Sequence, residues 1–149
     1  MSPHTGEAIR VLTVDDDPAL LDTISLYLEN IGGFEVSSTG SPGDALNRLE
    51  TEYFDICISD YDMPEMNGVQ LLGRIRREGN PVPYILITGS FSDALERRAR
   101  GAGASDVLQK SGVSMKFYTD LIAAVRGAVE RFRGGGVSGM AECYSGVRV

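Results

Sequence analysis

Asp55-Ile-Cys-Ile-Ser-Asp60-Tyr-Asp-Met-Pro-Glu-Met-Asn-Gly68-Val-Gln-Leu-Leu-Gly-Arg-Ile-Arg-Arg77-Glu-Gly-Asn-Pro-Val-Pro-Tyr84-Ile-Leu-Ile-Thr88 passes from a short apolar run to an amphipathic one and back. Ile56–Ser59 and Tyr84–Thr88 are too short for helices and nearly all apolar, so they read as strands covered on both faces. Between them Val69, Leu72 and Ile75 recur at helical spacing over Gly68–Arg77. Strand, helix and strand in this order make the repeating unit of a parallel sheet.

Working outward, the same rhythm continues from residue 9. Ile9–Val14, Phe34–Ser38 and Asp106–Gln109 add three strands, for five units in all. Pro18 suits a first helical turn, after which Leu21, Ile24, Ser25 and Leu28 share a face up to the Gly32-Gly33 stop. Ser41-Pro42 opens a helix carrying Ala45, Leu46 and Leu49, and Ser92 or Asp93 caps Ala94–Arg100. Met115–Phe132 carries Leu121, Ile122, Val125, Val129 and Phe132 in one stripe and closes the unit. The expected organisation is a disordered lead-in at 1–8, one domain at 9–132 and a flexible Gly/Ser-rich tail or truncated linker at 133–149. A short strand in Cys143–Val149 is the alternative for the tail.

Composition narrows the function classes. A chain of 149 residues, 42% hydrophobic, can bury a core without disulfide or metal staples. A net charge of −7 leaves no electrostatic footprint for nucleic acid, and no run approaches the length of a membrane span. Two cysteines, Cys57 and Cys143, make no disulfide framework, and the opening Met1-Ser-Pro-His-Thr-Gly-Glu lacks the pattern of a signal peptide, so a cytoplasmic setting is expected. His4, in the lead-in, is the sole histidine, which removes Ser/His/Asp and Cys/His triads and His-containing zinc sites from the globular part. The chemistry falls to Asp, Thr, Ser, Lys and Arg.

Parallel α/β sheets gather ligands at the carboxyl ends of their strands. Here strand one ends in Asp15-Asp16-Asp17, strand three in Asp60 followed by Asp62, strand four in Thr88-Gly89-Ser90, and strand five runs into Lys110. Asp17, placed before Pro18, reads as a helix cap. Asp15 and Asp16 next to Asp60 repel unless a cation or proton intervenes, and a hard divalent ion such as Mg2+ suits oxygen donors without His or Cys. Asp60 can attack a phosphoryl group if a metal and a cation neutralise the transferring oxygens, and Lys110 can supply that cation. Thr88 either donates its hydroxyl to a phosphoryl oxygen or is a strand-end Thr bonded to backbone.

Four stretches, in order, resemble the receiver domain of two-component response regulators: Val14-Asp15-Asp16-Asp17-Pro18, Ser59-Asp60-Tyr-Asp62-Met63-Pro64-Glu-Met-Asn-Gly68, Ile85-Leu-Ile-Thr88-Gly89 and Gly103-Ala-Ser-Asp-Val107-Leu-Gln-Lys110. The resemblance covers residues 9 to about 130. It implies a flavodoxin-like, doubly wound sheet of order 2-1-3-4-5. It also implies that Asp60 is the phosphoacceptor, that Asp15 and Asp16 form the Mg2+ pocket with Asp60, and that Asp62 lends its backbone carbonyl to the metal. Thr88 and Lys110 would bind the phosphoryl group. The implied phosphodonor is a sensor histidine kinase, and the implied state is a monomer or weak homodimer.

Two positions depart from the family pattern. Lys110 is followed by Ser111-Gly112 rather than proline, so a trans bond or a rearranged loop is expected. Val107 stands where the family usually has an aromatic, which weakens the expected Thr–aromatic coupling. Competing readings fare worse. Pro64 fills the place where an aspartate-nucleophile phosphohydrolase of the haloacid dehalogenase type has a small or branched residue. Glu65 and Leu71 break an EF-hand, and Gln109 breaks a P-loop at Lys110-Ser111. A receiver that binds partners without being phosphorylated stays open. So does the choice between a single-domain protein and a fragment of a hybrid sensor kinase of archaeal type.

Overall fold

The computed structural model describes residues 8–110 and 114–138. Five strands alternate with five helices: β1 (Arg10–Val14), α1 (Pro18–Asn30), β2 (Glu35–Thr39), α2 (Pro42–Thr51), β3 (Ile56–Asp60), α3 (Gly68–Arg77), β4 (Tyr84–Thr88), α4 (Asp93–Gly101), β5 (Asp106–Gln109) and α5 (Met115–Ser138). Every strand pairing is parallel, and the spatial order is β2-β1-β3-β4-β5. This is the flavodoxin-like arrangement that the resemblance implied.

Strand alternation divides the interior in two. On β3, Cys57 faces a cluster containing Leu12, Val14, Leu71, Leu72, Ile75, Leu86 and Leu95, beneath α2, α3 and α4. Ile56 and Ile58 face the other side, where Ile24, Leu28, Leu121, Ile122 and Val125 pack from α1 and α5. With both faces covered, β3 and β4 are buried at all five positions each, which is why they are the most uniformly apolar segments. β2 is an edge strand and half-exposed, so its polar Glu35, Ser37 and Ser38 cost little there.

The helix signals act as expected, with local detail. The Asp17 carboxylate accepts the Ala19 and Leu20 N–H groups at the start of α1. Ser41 caps α2, Ser92 rather than Asp93 caps α4, and Asn67 with Gln70 forms a reciprocal capping box on α3. α1 ends at Asn30; Gly33 N–H donates to Glu29 O in the turn that follows, and the φ of +74° at Gly33 lets Phe34 N–H reach Leu28 O.

α5 differs from its expected end at Phe132. It continues through Arg133 and three glycines to Ser138, so residues 133–138 extend the last helix. Glycines weaken a helix, and the compensating contact is tertiary. Arg133 Nη2 lies 3.2 Å from Asp55 Oδ1, in the loop before β3. Asp55 is buried and also accepts the Tyr53 hydroxyl at 2.7 Å and the Arg10 N–H at 2.9 Å. The expectations for residues 1–7, for the Ser111-Gly112-Val113 loop and for the Gly139–Val149 tail, including the Cys143–Val149 strand, lie outside the described residues.

Removing the Asp55 carboxylate takes a partner from the Arg133 guanidinium, the Tyr53 hydroxyl and the Arg10 amide together. Asp55→Ala is therefore expected to lower the unfolding free energy by about 2 to 4 kcal/mol, with amide exchange rising most over the last turns of α5. Urea denaturation with hydrogen-exchange mass spectrometry checks it; a loss below about 0.5 kcal/mol removes Asp55 as the anchor.

Candidate functional site

The carboxyl ends of β1, β3, β4 and β5 meet at one edge of the sheet. Asp15 follows β1 directly, its N–H donating to Thr39 O at 3.2 Å, so pairing with the end of β2 extends through it. Asp60 is the last residue of β3, and the register sets it beside Ile87, one short of Thr88. Lys110 leaves β5 with its N–H on Thr88 O at 2.8 Å. Four side chains from four strands are thus placed by backbone pairing alone.

Asp15, Asp16 and Asp60 each bring a carboxylate oxygen within 4.8 Å of the other two. Asp15 and Asp60 are buried, at 4% and 5% exposure, while Asp16 is exposed. Burial pushes the Asp15 carboxyl up to about 6, against the pull of the Asp17 N–H on its Oδ1 at 2.9 Å, and the Asp60 charge adds to the rise. Asp60 is raised too, by burial first, with Lys110 opposing and Asp62 and Asp16 contributing.

The Lys110 ammonium lies 2.9 Å from Asp60 Oδ1. That contact is a charge-assisted one on a buried oxygen. Burial works against the lysine's charge, but Asp60, Asp15 and Asp62 outweigh it and hold its pKa above the usual value. One cation in direct contact with one of three carboxylates leaves the cluster with excess negative charge. That fits a hard divalent ion with oxygen donors, for which no His or Cys is needed.

Thr88 is fully buried, and its Oγ1 accepts the Ser90 N–H at 3.0 Å, which ties the hydroxyl to the turn between β4 and α4. The Asp62 side chain is exposed and outside the carboxylate group. Val107 is buried in the cluster with Leu86, Leu95 and Ala99. Two neighbours of the site carried no spacing signal. The Tyr61 hydroxyl accepts from Arg98 Nη2 at 3.3 Å, and the Tyr84 hydroxyl donates to Gly68 O at 2.7 Å from below α3. Only the tertiary fold brings these pairs together.

The family model for the response regulator receiver domain matches residues 11–121. The chain belongs to that family. The receiver is 42% identical over 118 residues to the response regulator protein FleR of Pseudomonas aeruginosa, covering 78% of this chain and 24% of FleR. It is 35% identical over 109 residues to an uncharacterized 14.6 kDa protein of Leptolyngbya boryana, covering 72% of this chain and 82% of that one. A receiver domain protein of Methanospirillum hungatei superposes with a TM-score of 0.76 at 27% identity, covering 86% of this chain and 98% of that one. The chain spans less than half the length of several of the curated relatives it matches.

Asp15 sets a stability balance with a definite sign. Its pKa is higher folded than unfolded, so the native state holds the proton more tightly between pH 3.8 and about 6, and stability falls as pH rises through that window. In metal-free buffer at pH 7.5, Asp15→Asn is therefore expected to stabilise the fold by about 1 to 3 kcal/mol. Added Mg2+ should raise the midpoint of the wild type and leave that of the variant nearly unchanged. Urea unfolding from pH 4 to 8, with EDTA or with MgCl2, measures both effects. Equal pH profiles for the two proteins would remove Asp15 as the strained carboxylate.

Proposed function

We propose that Asp60 accepts a phosphoryl group from the phosphohistidine of a sensor histidine kinase, in a Mg2+-dependent reaction in the cytoplasm. The observation that carries this reading is the Asp60 carboxylate itself: buried at the end of β3, with its Oδ1 2.9 Å from the Lys110 ammonium and a carboxylate oxygen within 4.8 Å of those of Asp15 and Asp16. A side chain kept in that state is preorganised to receive an electrophile rather than to stabilise the fold. Family membership supports the same chemistry.

A carboxylate oxygen of Asp60 forms the new O–P bond while the P–N bond of the donor breaks, its electron pair returning to the imidazole nitrogen. Lys110 opposes the upward push of burial on the Asp60 carboxyl and then faces the developing charge on the phosphoryl oxygens. A Mg2+ held by the carboxylates of Asp15, Asp16 and Asp60 and by the Asp62 carbonyl would supply further positive charge to those oxygens. The Thr88 hydroxyl would donate to one of them. Because Thr88 Oγ1 also holds Ser90 N–H, that engagement pulls on the turn leading to Ser92 and α4.

The product adds about −1.5 to −2 of charge beside existing carboxylates, so the loops after β4 and β5 are where the equilibrium shifts and partner affinity changes. Val107 is aliphatic and already buried, so this coupling runs through the Thr88–Ser90 backbone contact rather than through an aromatic rotation.

The test is intact-protein mass after incubation with acetyl phosphate, with and without MgCl2, for wild type, Asp60→Asn and Lys110→Ala. A Mg2+-dependent gain of one phosphoryl group is expected in the wild type and none in Asp60→Asn. Lys110→Ala should accept the group at least about tenfold more slowly. Absence of any gain in the wild type, with Mg2+ binding also absent, would turn the assignment to a receiver that binds partners without phosphorylation.

A further inference from the structure

Under the candidate site lies a buried set of polar contacts that the proposed reaction does not use. The Tyr84 hydroxyl donates to Gly68 O at 2.7 Å, and the Ser59 hydroxyl donates to Asp60 O at 2.9 Å. Tyr84 and Ser59 are both fully buried. Tyr84 sits at the first position of β4, where an aliphatic side chain would fill the core without placing a polar atom in it. A hydroxyl is tolerated at such a position only with a partner, and this one is aimed at the first residue of α3.

Gly68 closes the segment that follows Asp60. A Cβ there would come within 2.6 Å of Asp60 O, 2.4 Å of Leu86 Cδ1 and 3.2 Å of Tyr61 Cα, so the start of α3 rests directly on the Asp60–Tyr61 backbone. Gly68 N–H in turn donates to Tyr61 O at 2.9 Å, closing the intervening residues into a loop. Tyr61 N–H is bonded to Ile87 O at 2.8 Å, which fixes the other end of the loop to β4. The Gly68 carbonyl already belongs to the α3 helical ladder, so the Tyr84 bond is a second one on that oxygen and is not required to satisfy it. What it adds is a tie between β4 and the α3 end of the loop.

We propose that Tyr84 is a positioning residue: through its bond to the Gly68 carbonyl, beside the Ser59–Asp60 bond, it holds the Tyr61–Gly68 loop in the register that aims Asp60 and the Asp62 carbonyl at the metal. The loop part of this rests on geometry alone, while its consequence for the metal and for phosphorylation rests on the reading under Proposed function.

The test compares wild type with Tyr84→Phe, which keeps the ring and removes the hydroxyl, and with Ser59→Ala as a second variant should Tyr84→Phe fold poorly. Hydrogen exchange resolved to segments reads the loop, MgCl2 titration of backbone amide shifts reads metal affinity, and acetyl phosphate labelling reads the reaction. In either variant, exchange across residues 61–68 is expected to rise while β1 and β4 keep wild-type protection. Mg2+ affinity should weaken about three- to tenfold, the size that one net hydrogen bond can transmit. The labelling rate at subsaturating Mg2+ should fall in proportion and recover at saturating Mg2+. A variant that only loses thermal stability, with loop exchange and Mg2+ affinity unchanged, overturns the proposal. If the wild type neither binds Mg2+ nor takes a phosphoryl group, the functional reading fails, and loop exchange alone decides whether Tyr84 holds the loop.

Discussion

Holding three carboxylates within 4.8 Å of one another, two of them buried, is the constraint around which the carboxyl edge of this sheet is built. Burial raises both Asp15 and Asp60, and neighbouring carboxylates raise them further, Asp60 acting on Asp15 and Asp62 and Asp16 acting on Asp60. Lys110 offsets part of that cost, by direct contact at Asp60 and at longer range at Asp15. Such a cluster survives only because the rest of the fold over-determines it. β1 and β3 pair directly, so Asp15 and Asp60 are carried on neighbouring strands that cannot separate without breaking the centre of the sheet.

The surrounding structure holds that edge with backbone rather than with long side chains. Asp15 N–H on Thr39 O, Tyr61 N–H on Ile87 O and Lys110 N–H on Thr88 O each extend a strand ladder by one residue into the site. The side chains that leave those positions therefore start from fixed points, and only their last bonds are free. This is the arrangement that charge stabilisation needs, because dipoles and charges set before the reaction do not have to be reorganised during it.

Most of this was legible in the sequence, for physical reasons. Strands buried on both faces must be apolar throughout, so β3 and β4 announced themselves, and the acids, hydroxyl and lysine at strand ends followed from where the strands stopped. β2 was harder, because an edge strand with polar residues sets no sharp limit, and its observed span is shifted by one residue. The α5 extension was illegible: three glycines argue against a helix, and the contact that offsets them joins Arg133 to Asp55 across 78 positions. The Tyr84 bond to Gly68 and the Arg98 contact with Tyr61 are illegible for the same reason, since neither pair shares an element or a period.

The single sheet also acts as a partition. Side chains on its two faces enter separate clusters, one under α2, α3 and α4 and the other under α1 and α5, and the strands between them carry no apolar side chain that belongs to both. Substitutions on opposite faces share few contacts, so their effects add rather than couple. For a signalling protein this gives evolutionary freedom: the helices on one face can be rewritten for a new partner while those on the other, and the acidic edge that both faces share, stay as they are.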